Sequence, residues 1–289
     1  MNDIIVEHGT TSDGLMAARV DGLAYIAIPL KEGFSIVSGW KLNRPIGEWS
    51  RSDVYCAEGA VADEVSFRAY IADIALHVRQ RNALGRVDTI LRVSTPWGMS
   101  QSATIYAEGI VFHSTAGHGG FKLDRARNAG MDPALRLSGG WYEEDAEWAL
   151  VAAGYPDLFT YREQAMANRA MRDWYPDAWE AVHGRELSAA ESFTRDRQQF
   201  ARHHAKDWVV ISAVRSSDHP GMVEALATVG GDRNSQETRR FLVRIGEYAA
   251  GRHGFVIVPA FHQEIARVGI CWRQVVFGAR NRGITAATF

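Results

Sequence analysis

The stretch LMAARVDGLAYIAIPLKEGFSIVSGW, Leu15–Trp40, decides the class of fold. Leu15–Val20 and Leu23–Leu30 are apolar runs of strand length on either side of Asp21-Gly22, a strong short-range hairpin signal. Lys31-Glu32-Gly33 makes a second turn, and Phe34–Trp40 reads as a third strand. Three strands joined by short turns form a β-meander. Beyond it the period changes. From Ala60 to Leu84 the apolar residues Val61, Val65, Phe67, Ile71, Ile74, Ala75 and Val78 recur near the helical repeat. Asp63-Glu64 falls in the first turn, where the helix dipole favours acids, and Gly85 is a stop.

Downstream, Ala103–Tyr106 and Gly109–His113 predict two short strands and Leu123–Ala129 a short helix. Glu143–Gly154, Phe159–Trp174, Pro176–Gly184 and Glu191–Ala205 predict four further helices, with Ser188 as N-cap of the last. Strand-like runs then return at Trp208–Val214, Met222–Val229, Arg240–Ile245 and Gly254–Pro259. The order predicts an α+β chain: an N-terminal β-meander, a helical middle and C-terminal antiparallel strands. No Pro-, Ser- or Gly-rich linker interrupts it. The expectation is one integrated domain over residues 1–279, with the meander of residues 1–58 as a sub-domain. Residues 280–289 read as a loose tail.

The chain of 289 residues is 46% apolar and 23% charged, the mix of a soluble globular protein. A net charge of −2 lacks the positive field that nucleic acid or an acidic membrane would need. No apolar run approaches membrane-spanning length, and MNDIIVEHGTT has no signal-peptide pattern. The expectation is a cytoplasmic protein without a membrane partner. Cys56 and Cys271 stand apart, with no CxxC, and read as buried reduced thiols.

Reactive residues concentrate between Thr95 and Trp148. TPWGMSQSATIYAEGIVFHSTAGHGG (Thr95–Gly120) ends in two histidines five apart beside glycines. LSGGWYEEDAEW (Leu137–Trp148) carries three consecutive acids between tryptophans. His113, His118 and Glu144 are the candidate catalytic residues, since imidazole and carboxylate together serve proton transfer. Ser114, Thr115, Gly119 and Gly120 are expected to hold a small anion, through hydroxyls and backbone N–H groups that glycine leaves open. Arg125 adds a cation, and Glu143 and Asp145 complete the ligand-binding set. Alternatively, the two histidines and one acid bind a metal, although their spacing matches no standard ligand pattern. The plain structural alternative is a tight turn followed by acids that decorate a helix start. No motif specifies a cofactor, and no Walker, Rossmann or zinc-protease motif occurs.

The strings TPWGMSQSATIYAEGIVFHSTAGHGGFKL, GGWYEEDAEWALVA, PDLFT, WYPDAWEAVHG and DWVVISAVRS together resemble an uncharacterised family, a domain of unknown function carried on plasmids, integrative elements and phages of proteobacteria. The resemblance runs from about Gly14 to Pro259. It implies an accessory protein of a mobile element and no particular reaction. Two functions follow as expectations. One is a hydrolase or a phosphate- or nucleotide-handling enzyme with a His/carboxylate site. The other is a non-catalytic interaction protein that antagonises a host defence system of the restriction or CRISPR type, its partner a host or mobile-element protein.

Overall fold

A computed structural model describes residues 4–265 of the chain. The fold is α+β. Two compact units divide between Met171 and Arg172.

The first unit opens with an antiparallel meander of β1 (Val6–Thr10), β2 (Met16–Val20), β3 (Leu23–Pro29), β4 (Phe34–Trp40) and β5 (Cys56–Val61), paired in chain order. The three inner strands fall where the apolar runs and turns predict them. β1 and β5 are edge strands that the sequence does not announce, because VEHGT and CAEGAV have neither alternation nor β-branched runs. Their residues are almost all exposed. Cys56 is therefore exposed, correcting the expected buried thiol, and Cys271 lies outside the described residues.

α1 (Glu64–Ala83) follows, capped by Asp63, whose side chain accepts the Ser66 N–H at 2.7 Å. Val61 belongs to β5 rather than to the helix. Phe67, Ile71, Ile74, Ala75 and Val78 of α1 pack on Ala18, Val20, Tyr25, Ala27 and Ile36. The opposite face of the sheet is also closed: Ala17, Ala24, Ile26 and Ile28 pack with Ile46, Trp49 and Val54. β3 is thus apolar on both sides, which explains its unbroken run LAYIAI.

A second sheet follows. β6 (Val87–Thr89) is succeeded by a two-strand hairpin, β7 (Ser94–Thr95) and β8 (Gly98–Met99). Then come β9 (Ser102–Ala107), β10 (Ile110–Ser114), β11 (Gly119–Leu123) and, after α2 (Arg125–Gly130), β12 (Trp141–Glu143). The order is β12-β11-β10-β9-β6, with antiparallel neighbours. One face carries an aromatic core in which Phe121 meets Tyr106 at 4.8 Å and Phe159 at 5.8 Å between ring centres.

The predicted helix Glu143–Gly154 is shorter than expected: α3 spans only Trp148–Gly154. Trp141–Glu143 adds to the sheet edge instead, because Tyr142, fully buried, pairs with Phe121. The acids close the turn that follows. The Glu147 carboxylate accepts the Glu143 N–H, and the Glu143 carboxylate accepts the Asp145 N–H, both at 2.8 Å. α4 (Tyr161–Trp174) matches the prediction closely.

The second unit holds α5 (Pro176–His183), α6 (Phe193–His203) and a sheet of β13 (Trp208–Arg215), β14 (Met222–Val229), β15 (Arg239–Arg244) and β16 (Gln263–Ile265) in chain order. Ser192 caps α6, accepting the Arg195 N–H at 3.2 Å. The predicted cap, Ser188, instead hydrogen-bonds Glu191 in the preceding turn. Arg195 ties α6 to Asp177 and Glu180 of α5. Gly254–Pro259 is not a strand. It makes isolated bridges such as Val209–Val256, and β16 takes the fourth place in the sheet. Pro259 has no N–H to extend a ladder. The core of this sheet gathers Ala225, Ala227, Phe241, Val243 and Ile257. The proposed tail, 280–289, lies outside the described residues. No helix among the described residues is long and apolar enough to cross a membrane.

Candidate functional site

β10 and β11 form a hairpin whose register pairs Ser114 with Gly119 and His113 with Gly120. The loop between them is Thr115–His118. The Thr115 N–H donates to the His118 carbonyl at 2.7 Å, its hydroxyl donates to the same oxygen, and the His118 N–H returns a bond to that hydroxyl. The two glycines are therefore strand residues and not the turn itself.

Their role is close approach. A Cβ on Gly119 would lie 2.5 Å from the Glu144 carboxylate and 2.9 Å from the His113 carbonyl. One on Gly120 would collide with the Trp97 indole, carried on the β7–β8 hairpin, and with the Tyr142 carbonyl. Glycine here lets an acid lie over one position and a tryptophan over the next. The Gly119 carbonyl also accepts the Glu144 N–H at 3.1 Å, which anchors the acid segment along β11.

This anchoring brings His118, Glu143 and Glu144 together. The His118 Nδ1 stands 3.7 Å from a Glu143 oxygen and 4.0 Å from a Glu144 oxygen. One ligand atom from each of the three lies within 4.8 Å of the others. The imidazole is 59% exposed, and the two carboxylates are about a quarter to a third exposed. A helix would have turned consecutive acids about 100° apart. The change from β12 to a turn at Glu143–Glu144 lets both reach one imidazole. Burial raises the Glu143 pKa above its ordinary value. The charges of Asp145 and Glu144 push the same way, against the Asp145 N–H bond and His118.

The remaining predicted residues fall elsewhere. His113 is buried, and its Nδ1 lies 3.1 Å from the Ser100 hydroxyl. That hydroxyl gives its single proton to the Ser102 carbonyl, so Nδ1 is assigned as the donor to Ser100. Burial lowers the His113 pKa, which favours the neutral ring. It lies 5.7 Å from the Trp141 ring, which meets Trp97 edge to face at 5.8 Å. His113 is not one of the three clustered groups. Ser114 sits in the sheet ladder, where its carbonyl accepts the Gln101 N–H, and Thr115 closes the hairpin loop. Asp145 is exposed and turns its N–H to Glu143. Arg125 opens α2, where it lines a separate pocket.

Sequence reading missed Trp97 and Glu147. Trp97 reads as core, and only the Gly-Gly pair across from it signals that a large ring needs room. Glu147 reads as a residue inside a helix.

The family model described as a domain of unknown function (DUF7007) matches residues 91–205, a span that contains every residue of the His118 cluster. No curated protein and no solved structure matches the chain.

Proposed function

We propose that the protein is a hydrolase whose centre is a divalent cation held by His118, Glu143 and Glu144. One observation carries this reading: three donor groups of mixed type meet within 4.8 Å at a partly exposed sheet edge. Two ligands of a tetrahedral zinc stand roughly 3.4 Å apart, so separations of 3.7 and 4.0 Å close with small side-chain rotations. Three protein ligands leave a coordination position open, the pattern of catalytic rather than structural sites. A cation there supplies Lewis-acid activation of water for hydrolysis. The residues of the chain do the rest. The Glu144 backbone is anchored to the Gly119 carbonyl at 3.1 Å and its carboxylate lies over that glycine, which places one donor. The resemblance to a mobile-element family supports a role as an accessory protein of such an element.

The test is thermal unfolding with Zn2+ or Mn2+. Wild type is expected to gain stability from the cation, by about 2.7 kcal/mol at a hundredfold excess over Kd. His118→Ala and Glu144→Gln are expected to melt with the wild type in chelator, since neither removes apolar core, and to lose the cation's effect. Binding requires Glu143 deprotonated. It also requires Glu144 deprotonated and the His118 imidazole neutral, so the cation's effect should fade on acidification as protons compete for the three ligands. An equal shift in all three proteins, or none in wild type, overturns the centre.

A second reading, a non-catalytic antagonist of host defence, is favoured by one surface feature. Trp40 and Tyr55 are 55% and 58% exposed and meet edge to face at 5.5 Å. Exposed aromatic anchors of this kind are enriched at interfaces. In a restriction or CRISPR challenge, an antagonist loses protection with Trp40→Ala and keeps it with Glu144→Gln. A hydrolase gives the reverse.

We also propose that the chain folds as one cooperative domain, supported by the absence of a linker-like stretch between Ala60 and Pro259. A single calorimetric transition is expected. Limited proteolysis that leaves two stable fragments cut near residues 185–205 overturns it.

A further inference from the structure

We infer that a second pocket, on the same sheet and independent of the His118 centre, binds the phosphate group of a small phosphate monoester. The pocket has a volume of about 300 Å3, at the small end of ligand sites. Lys122 of β11, Arg125 of α2 and Arg136 line it, with Asn128 and the Gly139 backbone. None of the three clustered donors of the His118 centre is among its lining residues.

Three cations line one small cavity with a single acid, Asp124, so positive charge exceeds negative there. One Asp124 oxygen accepts the Arg127 N–H at 2.7 Å as the cap of α2, and the other lies so close to Gly109 that a Cβ there would collide with it. The cavity keeps an excess of positive charge in a protein whose net charge is −2. Among the described residues, no ion pair joins Lys122, Arg125 or Arg136 to a carboxylate.

Two of the cations are held in place by neutral groups and not by carboxylates. Lys122 donates to the Gly139 carbonyl at 2.5 Å, and its ammonium lies 4.9 Å from the Trp141 ring centre. One of its three N–H donors is thereby used. Arg136 spends one terminal nitrogen on the Ala129 and Met131 carbonyls, each at 2.8 Å. Its other two nitrogens still carry N–H donors. Carbonyl anchors position a cation without neutralising it, so the charge is left for a ligand. Arg125 is exposed at the rim, free to close on an anion with two parallel hydrogen bonds. Asn128 gives its amide nitrogen to the Leu137 carbonyl at 3.0 Å and accepts from Tyr142 at 2.7 Å, which fixes the wall.

Phosphate is the anion these donors suit. It offers three terminal oxygens to three separate cations, whereas a carboxylate offers two in one plane. The small volume and the overall negative charge favour a monoester over a polynucleotide backbone.

The test is isothermal titration of the intact protein with inorganic phosphate and with ribose 5-phosphate, acetate being the carboxylate control. Both phosphates are expected to bind, and acetate is not. Arg125→Ala, at an exposed position, should melt with the wild type and weaken phosphate roughly tenfold or more, as one charge-assisted pair implies. Glu144→Gln, which disables the proposed cation centre, should bind phosphate as wild type does, so the two sites fail separately. Absence of phosphate binding, equal binding of acetate, or phosphate affinity unchanged in Arg125→Ala each overturns the inference. A preference for single-stranded oligonucleotide over both small phosphates overturns the monoester class.

Discussion

Glu163→Ala is expected to cost about 3–5 kcal/mol of stability, because it removes one partner of a buried ion pair and leaves the other charge stranded. The Glu163 side chain is 2% exposed and that of Arg86 9%. Arg86 clasps both Glu163 oxygens, at 2.8 and 2.7 Å, and gives a further bond to the Leu158 carbonyl. Its guanidinium lies 4.0 Å from the Tyr106 ring centre and 5.4 Å from that of Phe159. Glu163 also accepts the Thr160 N–H at 2.7 Å. Replacing both partners by apolar residues of similar volume should recover most of the loss, since no charge is then left unpaired. Urea unfolding of the two single variants and the double variant measures this. A Glu163→Ala loss below about 1 kcal/mol would show that the pair is not desolvated as its burial indicates. The pair also sets a pH dependence. Burial alone would raise the Glu163 pKa, but the hydrogen bonds and charge of Arg86 prevail and hold it below the ordinary value. The stabilisation is therefore full above the unfolded carboxylate pKa, about 4.3. It is lost as pH falls through the lower folded pKa.

Tyr142→Ala should be of similar size, roughly 3–5 kcal/mol by the standard of buried aromatic truncations. Tyr142 has no exposed surface. Its hydroxyl donates to Asn128 at 2.7 Å and accepts the Leu137 N–H at 3.0 Å, so truncation leaves two polar groups without a partner. Tyr142→Phe isolates that part and should cost about 1–3 kcal/mol. The position also matters for chemistry. Tyr142 pins β12 against β11, and the next two residues are Glu143 and Glu144. In the phenylalanine variant the ring still fills its place, so cation binding should persist. In the alanine variant, cation binding that survived would show that the acids do not depend on the β12 pairing.

Much of this architecture is legible in the sequence where burial is one-sided or turns are explicit. α1 and α4 show their period, and the Asp21-Gly22 and Gly33 turns delimit β2, β3 and β4. The edge strands β1 and β5 are not legible, because they bury almost nothing and so print no pattern, and β12 is hidden by its length of three residues. Glu143–Glu144–Asp145 misleads for a related reason. Acids before an apolar run read as a helix start, and only the tertiary pairing of Tyr142 with Phe121 draws the segment into the sheet. Of the predicted site, the meeting of His118 with Glu143 and Glu144 is visible as a density of reactive groups in sequence. The separation of His113 and Arg125 from that meeting is not. It depends on the Ser100 contact and on where α2 begins, both of which are settled only by the fold.

The closing of the meander on both faces has a consequence for how its strands keep alignment. In a sheet with one wet face, a strand that slips by one residue exposes its apolar set, and water corrects the error. β3 has no such safeguard, because a slip would trade Ala24, Ile26 and Ile28 for Tyr25 and Ala27, one greasy set for another. Alignment must be held by the turns. Asp21 takes a φ of 51°, and Gly33 takes 71° where a Cβ would strike the Val61 carbonyl. The spelling of the strands is thus free to drift among apolar letters, while the punctuation between them carries the message.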